Sequence, residues 1–319
     1  MNKNTTNLIR FICCIMIFMH HFFLGHPIVH GLGHLGCTIF FFLSSYGISK
    51  SLMKTPVRFF VFFKKKIIKI WLPLIIVNLL SIIATNIFFT NQLSFPIYDI
   101  FCEKISYVPI TSFTKLIGLL IGYPKIDSVT WFLDVLLLSY PGLWYINNKK
   151  IPLKFIVYCF ILWFIIGFSI IKSYYIIDIQ GILIGLLYAK YEQSINIKLQ
   201  KKPIIIMFFF LFIIFFIFDI TTSNTLEGRY NKIISLIYSL SFLPLVAIFS
   251  TKYNVKLHIA SFLGGISYFI YLLHVKVSCI TNNIYGSNNL GMSILFTIIF
   301  SSILYYLNQF LSRHINEKL

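Results

Sequence analysis

Ten runs of about twenty mostly apolar residues divide this chain, near residues 7–24, 35–53, 67–89, 129–147, 152–171, 174–190, 203–219, 231–250, 259–279 and 290–312. About twenty such residues are what a helix needs to cross roughly 30 Å of bilayer hydrocarbon, where only helices and closed barrels satisfy their own backbone polar groups. The pattern predicts an all-α polytopic membrane helix bundle of about ten transmembrane helices. Composition agrees, with 58% hydrophobic and only 11% charged residues, against about a quarter charged in a soluble domain. Soluble enzymes, disordered tails and coiled coils are excluded. The first run passes directly into His20, His21 and Phe22 with no small-residue cleavage site, so it reads as a permanent span and not a signal peptide. No soluble domain is appended, and residues 1–319 read as a single membrane domain.

The 27 Lys and Arg against 9 Asp and Glu give a formal net charge of +18. Assigned to the nearest loops with alternating sides, 20 of the 27 basic residues fall on one side, among them Lys64, Lys65, Lys66 and Lys69, and 7 on the other, among them Lys115, Lys125 and Lys276. Positive residues concentrate on the cytoplasmic side, so both termini are expected in the cytoplasm. Orientation and attraction to anionic membrane lipids account for the charge; nucleic acid is not expected as a partner. The six cysteines lie mostly in apolar runs without zinc-like spacing, which predicts small hydrophobes rather than ligands or a disulfide framework. The 90–128 segment contains a short apolar run, Leu116 to Ile121, expected as a re-entrant or interfacial helix.

Polar residues inside apolar runs are costly and mark candidate function. Arg10 and His21 bracket the first span. Eleven residues at about 100° each bring them to one helix face, about 16.5 Å apart along the axis. The bland alternative is a snorkelling arginine and interfacial histidines. His26, His30 and His34 follow in what Pro27, Gly31 and Gly33 make look like a polar outer loop; no metal site is expected there. Asp134 lies one turn past Trp131, where it could orient a histidine or pair with Lys125 or Lys115. Ser267, Tyr271 and His274 share a face of the ninth run at spacings of four and three.

The order of these signals is more specific than any one of them. Arg10-x10-His21, then Phe40-Phe41-Phe42-Leu43-Ser44-Ser45-Tyr46-Gly47, then Lys66-x-x-Lys69, then Trp131-Phe132-Leu133, then Gly264-Gly265-Ile266-Ser267-Tyr268-Phe269-Ile270-Tyr271-Leu272-Leu273-His274 together resemble the acyltransferase-3 family of integral membrane acyltransferases. The resemblance spans nearly the whole chain. Departures are Lys66-x-x-Lys69 where the family commonly has two arginines, Ser45 where it has glycine, and Leu136 near a family glutamate. The resemblance implies transfer of an acyl group, acetyl foremost, from acyl-CoA as co-substrate to a hydroxyl of a cell-surface or exported glycan or lipid-linked sugar. It implies a multi-pass cell-membrane protein of the bacterial inner or plasma membrane. His21 is then general base or acyl acceptor, with Arg10 and Asp134 beside it in catalysis. Lys66, Lys69, Ser44 and Tyr46 are the donor-binding candidates, and Trp131, Ser267, Tyr268, Tyr271 and His274 complete the motif. The competing class is a sugar or polysaccharide translocator without acyl chemistry.

Overall fold

A computed structural model describes residues 1–23, 26–88, 94–99, 104–122, 127–149, 151–170, 178–222, 228–253, 255, 258–286 and 289–317. Cys102, Lys125 and Lys172 lie outside them, as does the His30 side chain. The described helices are α1 (Lys3–Phe22), α2 (Pro27–Lys54), α3 (Phe59–Phe88), α4 (Phe113–Leu120), α5 (Trp131–Asn148), α6 (Leu153–Ile170), α7 (Gln180–Leu199), α8 (Lys202–Thr222), α9 (Gly228–Lys252), α10 (His258–Tyr285) and α11 (Leu290–Glu317). Seven of them, α1, α2, α3, α8, α9, α10 and α11, are long and apolar enough to cross a membrane. Helices α5, α6 and α7 fall on the three remaining apolar runs. α8 is the clearest lipid-facing helix: Phe210 and Ile214 are 56% and 58% exposed, which only a hydrocarbon surrounding makes inexpensive.

Two features amend the sequence reading. The long segment after α3 contains an antiparallel hairpin, β1 (Ser94–Asp99) paired with β2 (Lys104–Pro109) from Ser94↔Pro109 to Asp99↔Lys104; Pro96 and Pro109 obscured it, because proline signals against strands. The expected outer loop of histidines is instead the first two turns of α2. Pro27 sits at its first position, where a missing N–H costs nothing. Its glycines are points of close approach, not breakers.

Contacts divide the chain into two compact units, residues 1–63 with 138–261 and residues 64–137 with 262–319. In the first, α2 packs against α1, α7, α8 and α9, around a core that includes Cys13, Leu35, Ile39, Phe42, Tyr188, Tyr238 and Val246. The α2–α7 crossing is close because of Gly181-x-x-x-Gly185. A Cβ at Gly181 would lie 2.3 Å from the Thr38 carbonyl oxygen, and one at Gly185 2.3 Å from that of Phe42. Small residues at this spacing let helix backbones touch in a membrane. The Ser45 hydroxyl uses that proximity to donate to the Ile182 carbonyl at 2.6 Å.

The second unit holds the hairpin and the expected short helix, α4, capped by Ser112, whose Oγ accepts from the Lys115 amide. Gly122, at φ +76°, ends that helix in a conformation other residues adopt at a cost. Phe95 and Leu119 are fully buried with Ile82. Lys276 was assigned to an outer loop by sequence. It lies within α10, 2% exposed, 3.0 Å from the buried Asp127 carboxylate and 5.2 Å from the Phe95 ring centre. Its charge therefore serves an internal pair and is not a topology signal.

Candidate functional site

The first unit carries Arg10, His21, Ser44 and Tyr46. α1 begins at an Asn2 cap, whose side chain accepts from the Asn4 amide at 2.8 Å, and runs unbroken through both Arg10 and His21. α2 packs antiparallel to it, with three glycines on the seam. A Cβ at Gly33 would fall 2.5 Å from the His20 Cγ, one at Gly36 3.0 Å from the Cys13 carbonyl oxygen, and one at Gly47 4.0 Å from an Arg10 guanidinium nitrogen. Arg10 thus stands at one end of the seam, within electrostatic reach of Tyr140, and the histidine pair at the other. On α1 the ring that meets the seam glycine Gly33 is His20, and His21 packs against the His20 ring.

The histidine end extends further than the sequence suggested. The His20 and His21 rings meet edge to face with centres 5.0 Å apart, and His20 and His34 are 6.0 Å apart. His20 Nδ1 lies 3.4 Å from the Val29 carbonyl oxygen. His34 Nδ1 lies 3.3 Å from Asp178 Oδ2, and Thr38 donates to Asp178 Oδ1 at 3.2 Å. Asp219 also acts on His34 electrostatically and accepts from Ser235 at 3.1 Å. Tyr238 donates to the Gly31 carbonyl at 2.9 Å, a contact that fits only because residue 31 lacks a Cβ. Among the described residues, no three His, Cys, Asp or Glu side chains are placed to hold a metal ion.

Asp178 and Asp219 are not among the candidates drawn from the sequence. Both are buried. The signal that could have found them is the cost of a carboxylate next to an apolar run, which demands a partner.

At the other end of α2, Tyr46 donates to Glu192 Oε1 at 2.8 Å. The Lys50 ammonium lies 2.6 Å from Glu192 Oε2, and the Met1 amine 2.6 Å from Oε1. Glu192 follows the apolar part of α7, just past a kink at Tyr191. Burial pushes its carboxyl up, but the hydrogen bonds from Lys50, the amine and Tyr46 outweigh that and hold it below the usual carboxylate value. A depressed folded value gives stability that is present above the unfolded pKa, about 4.3, and lost as pH falls through the folded value. Thermal unfolding in detergent should accordingly show wild type more stable than Glu192→Gln at pH 7, with the gap closing below about pH 4. A gap independent of pH would contradict the ionised cluster. Ser44 is half-buried on the same helix.

The second unit carries the other predicted residues. Trp131 opens α5 after a short 3-10 turn, its ring 6.2 Å from Phe132. Asp134 is half-buried one turn on, and Lys125, one of the two lysines expected as its partner, lies outside the described residues. The α10 motif braces the unit. Tyr268 donates to the Ile70 carbonyl at 2.7 Å, Tyr271 to that of Val129, and Ser267 to Gly264 at 2.8 Å. His274 Nδ1 lies 2.6 Å from the Tyr271 carbonyl oxygen, and Phe132 packs 5.5 Å from the Tyr271 ring. Lys66 is half-buried and Lys69 exposed on α3.

A multi-pass helical membrane protein with a basic and imidazole-bearing seam in its first unit is the class these features define. A family model described as an acyltransferase domain matches residues 5–312, and the chain belongs to the acyltransferase-3 family. That membership supports membrane acyltransferase activity. No curated protein and no solved structure matches the chain.

Proposed function

We propose that the protein is a membrane O-acyltransferase with ten spans and cytoplasmic termini, moving an acyl group, acetyl foremost, from acyl-CoA to a hydroxyl of a cell-surface or exported glycan or lipid-linked sugar. The observation that carries this reading is the α1–α2 seam, with Arg10 facing Gly47, His20 at Gly33 and the His21 ring against His20, in a chain matched along residues 5–312 to an acyltransferase family. A hydroxyl is a weak nucleophile until a positioned base takes its proton, and imidazole does so near neutral pH. In the proposed step the acceptor oxygen attacks the thioester carbonyl and His21 receives the hydroxyl proton. The carbon–sulfur bond then breaks, and the CoA thiolate leaves with that proton as the thiol. Arg10 stabilises the carbonyl oxygen as it gains charge, or holds a donor phosphate. Lys66 and Lys69 supply positive charge for the anionic donor, as point charges without arginine's two-pronged geometry.

One observation favours the translocator reading: Asp178 is buried against His34 and the buried Asp219 acts on the same histidine electrostatically, and buried carboxylates beside histidines serve as proton relays in transporters. A single experiment separates the two. Surface glycans from a gene deletion and from its wild-type complement are compared by proton NMR before and after mild base. A base-labile acyl signal restored by the gene, with glycan yield unchanged, is the expected result. If yield follows the gene while acylation does not, translocation replaces acyl transfer.

A further inference from the structure

Asp178 is fully buried, and such a carboxylate is retained only where its charge is met. Its two oxygens are met by His34 Nδ1 at 3.3 Å and Thr38 at 3.2 Å. A carboxylate at Nδ1 selects the tautomer with its proton there and fixes the ring plane, leaving the other nitrogen as an acceptor. The His34 ring so fixed stands 6.0 Å from His20. His20 is held from two further directions, by the Val29 carbonyl oxygen at 3.4 Å and by the space that Gly33 leaves open. Its ring edge abuts His21 at 5.0 Å. These groups come from α1, α2 and the residue stretch leading into α7, so the series is set by tertiary packing and not by one helix alone.

We propose that Asp178 and His34 are positioning residues for His21, acting through His20, so that the imidazole that takes the acceptor proton is held in one orientation by a buried carboxylate three side chains away. This rests on the reading of His21 as the base. Asp219 of α8 acts on His34 electrostatically and accepts from Ser235 of α9, and Tyr238 of α9 donates to the Gly31 carbonyl. Neither Asp178 nor His34 touches substrate in this account. Their effect must therefore fall on turnover and not on donor binding.

The test uses membrane vesicles containing the full-length protein, labelled acetyl-CoA, and the cell's own surface glycan fraction as acceptor. Asp178→Asn, His34→Gln and the double variant are compared with wild type and His21→Ala at matched membrane levels. Asn is close in shape to Asp, but its amide can donate to Nδ1 and favour the wrong tautomer. The expected result is a kcat lowered about tenfold to a hundredfold in each single variant, short of the 10²–10⁴-fold that a base itself contributes. KM for acetyl-CoA should be unchanged, and the double variant no worse than the poorer single, because residues acting through one chain are not additive. A kcat within twofold of wild type in both singles overturns the proposal. So does a loss confined to KM, or failure of both singles to accumulate in the membrane, which marks the contact as structural. An active His21→Ala, or inactive wild type, removes the base assignment itself, and that outcome is distinct because it appears before either positioning variant is scored.

Discussion

His21→Ala, present in the membrane at the wild-type level, is expected to transfer acyl groups about 10²–10⁴-fold more slowly than wild type, the usual contribution of a positioned general base. The expectation follows from the seam. Arg10 and His21 fall on one face of α1 by its periodicity, that helix is unbroken, and His21 is the last ring of a packed histidine series. Truncation at residue 21 removes the imidazole while leaving His20, His34 and Asp178 in place, so the fold has little reason to fail. KM for acyl-CoA should hold steady because a base contacts the acceptor hydroxyl. The measurement is initial rate against acetyl-CoA concentration in vesicles with protein quantified by blotting. Retention of more than a tenth of wild-type kcat would remove His21 from the chemistry.

Gly185→Val is the second large effect, and it is structural. Alone, Gly to a larger residue within a helix gains up to about 1 kcal/mol of propensity. Here the new Cβ would lie 2.3 Å from the Phe42 carbonyl oxygen and 2.4 Å from the Ser45 hydroxyl. The first obstacle is helix backbone and cannot rotate away. The second is engaged with Ile182. Overpacking of this kind costs about 1–3 kcal/mol, and valine's two γ-methyls place the change at the upper end. Steric cost therefore wins over propensity. Thermal midpoints in detergent, followed by size-exclusion of the fluorescently tagged protein, should fall clearly for Gly185→Val and less for Gly185→Ala. A rise for either would show that α7 does not cross α2 through this pair.

What could be read from the sequence divides along physical lines. Hydrocarbon thickness is a strong constraint, so the apolar runs located the helices to within a few residues at most places, and the run at 116–121 became α4. Periodicity puts Arg10 and His21 on one face of α1, while the ring that meets Gly33 of α2 is His20. Side-chain partners far apart in sequence were not legible. Nothing local to Asp178 reveals that it meets His34, 144 residues away. Local rules also misled at α2: Pro27, Gly31 and Gly33 are breakers in water. In this chain the proline occupies a helix start, and the glycines admit Tyr238 and the His20 ring. Lys276 was miscounted for the same reason, since an ammonium inside a helix looks like a boundary marker until its carboxylate is seen. Gly181-x-x-x-Gly185 was within reach of sequence reasoning, because small residues four apart on an apolar helix are a known contact pattern.

The buried Lys276–Asp127 pair sets a schedule on biosynthesis. The two residues are 149 positions apart, so the acid leaves the ribosome long before its base exists. Until α10 is made, Asp127 lacks this partner, and the two charges meet only once both segments are in place. The second unit draws on residues 64–137 and 262–319, so its packing is completed only after the middle of the chain has been made. A chain cut short before α10 would thus lack the ammonium that meets Asp127, so completion of this unit depends on the late segment.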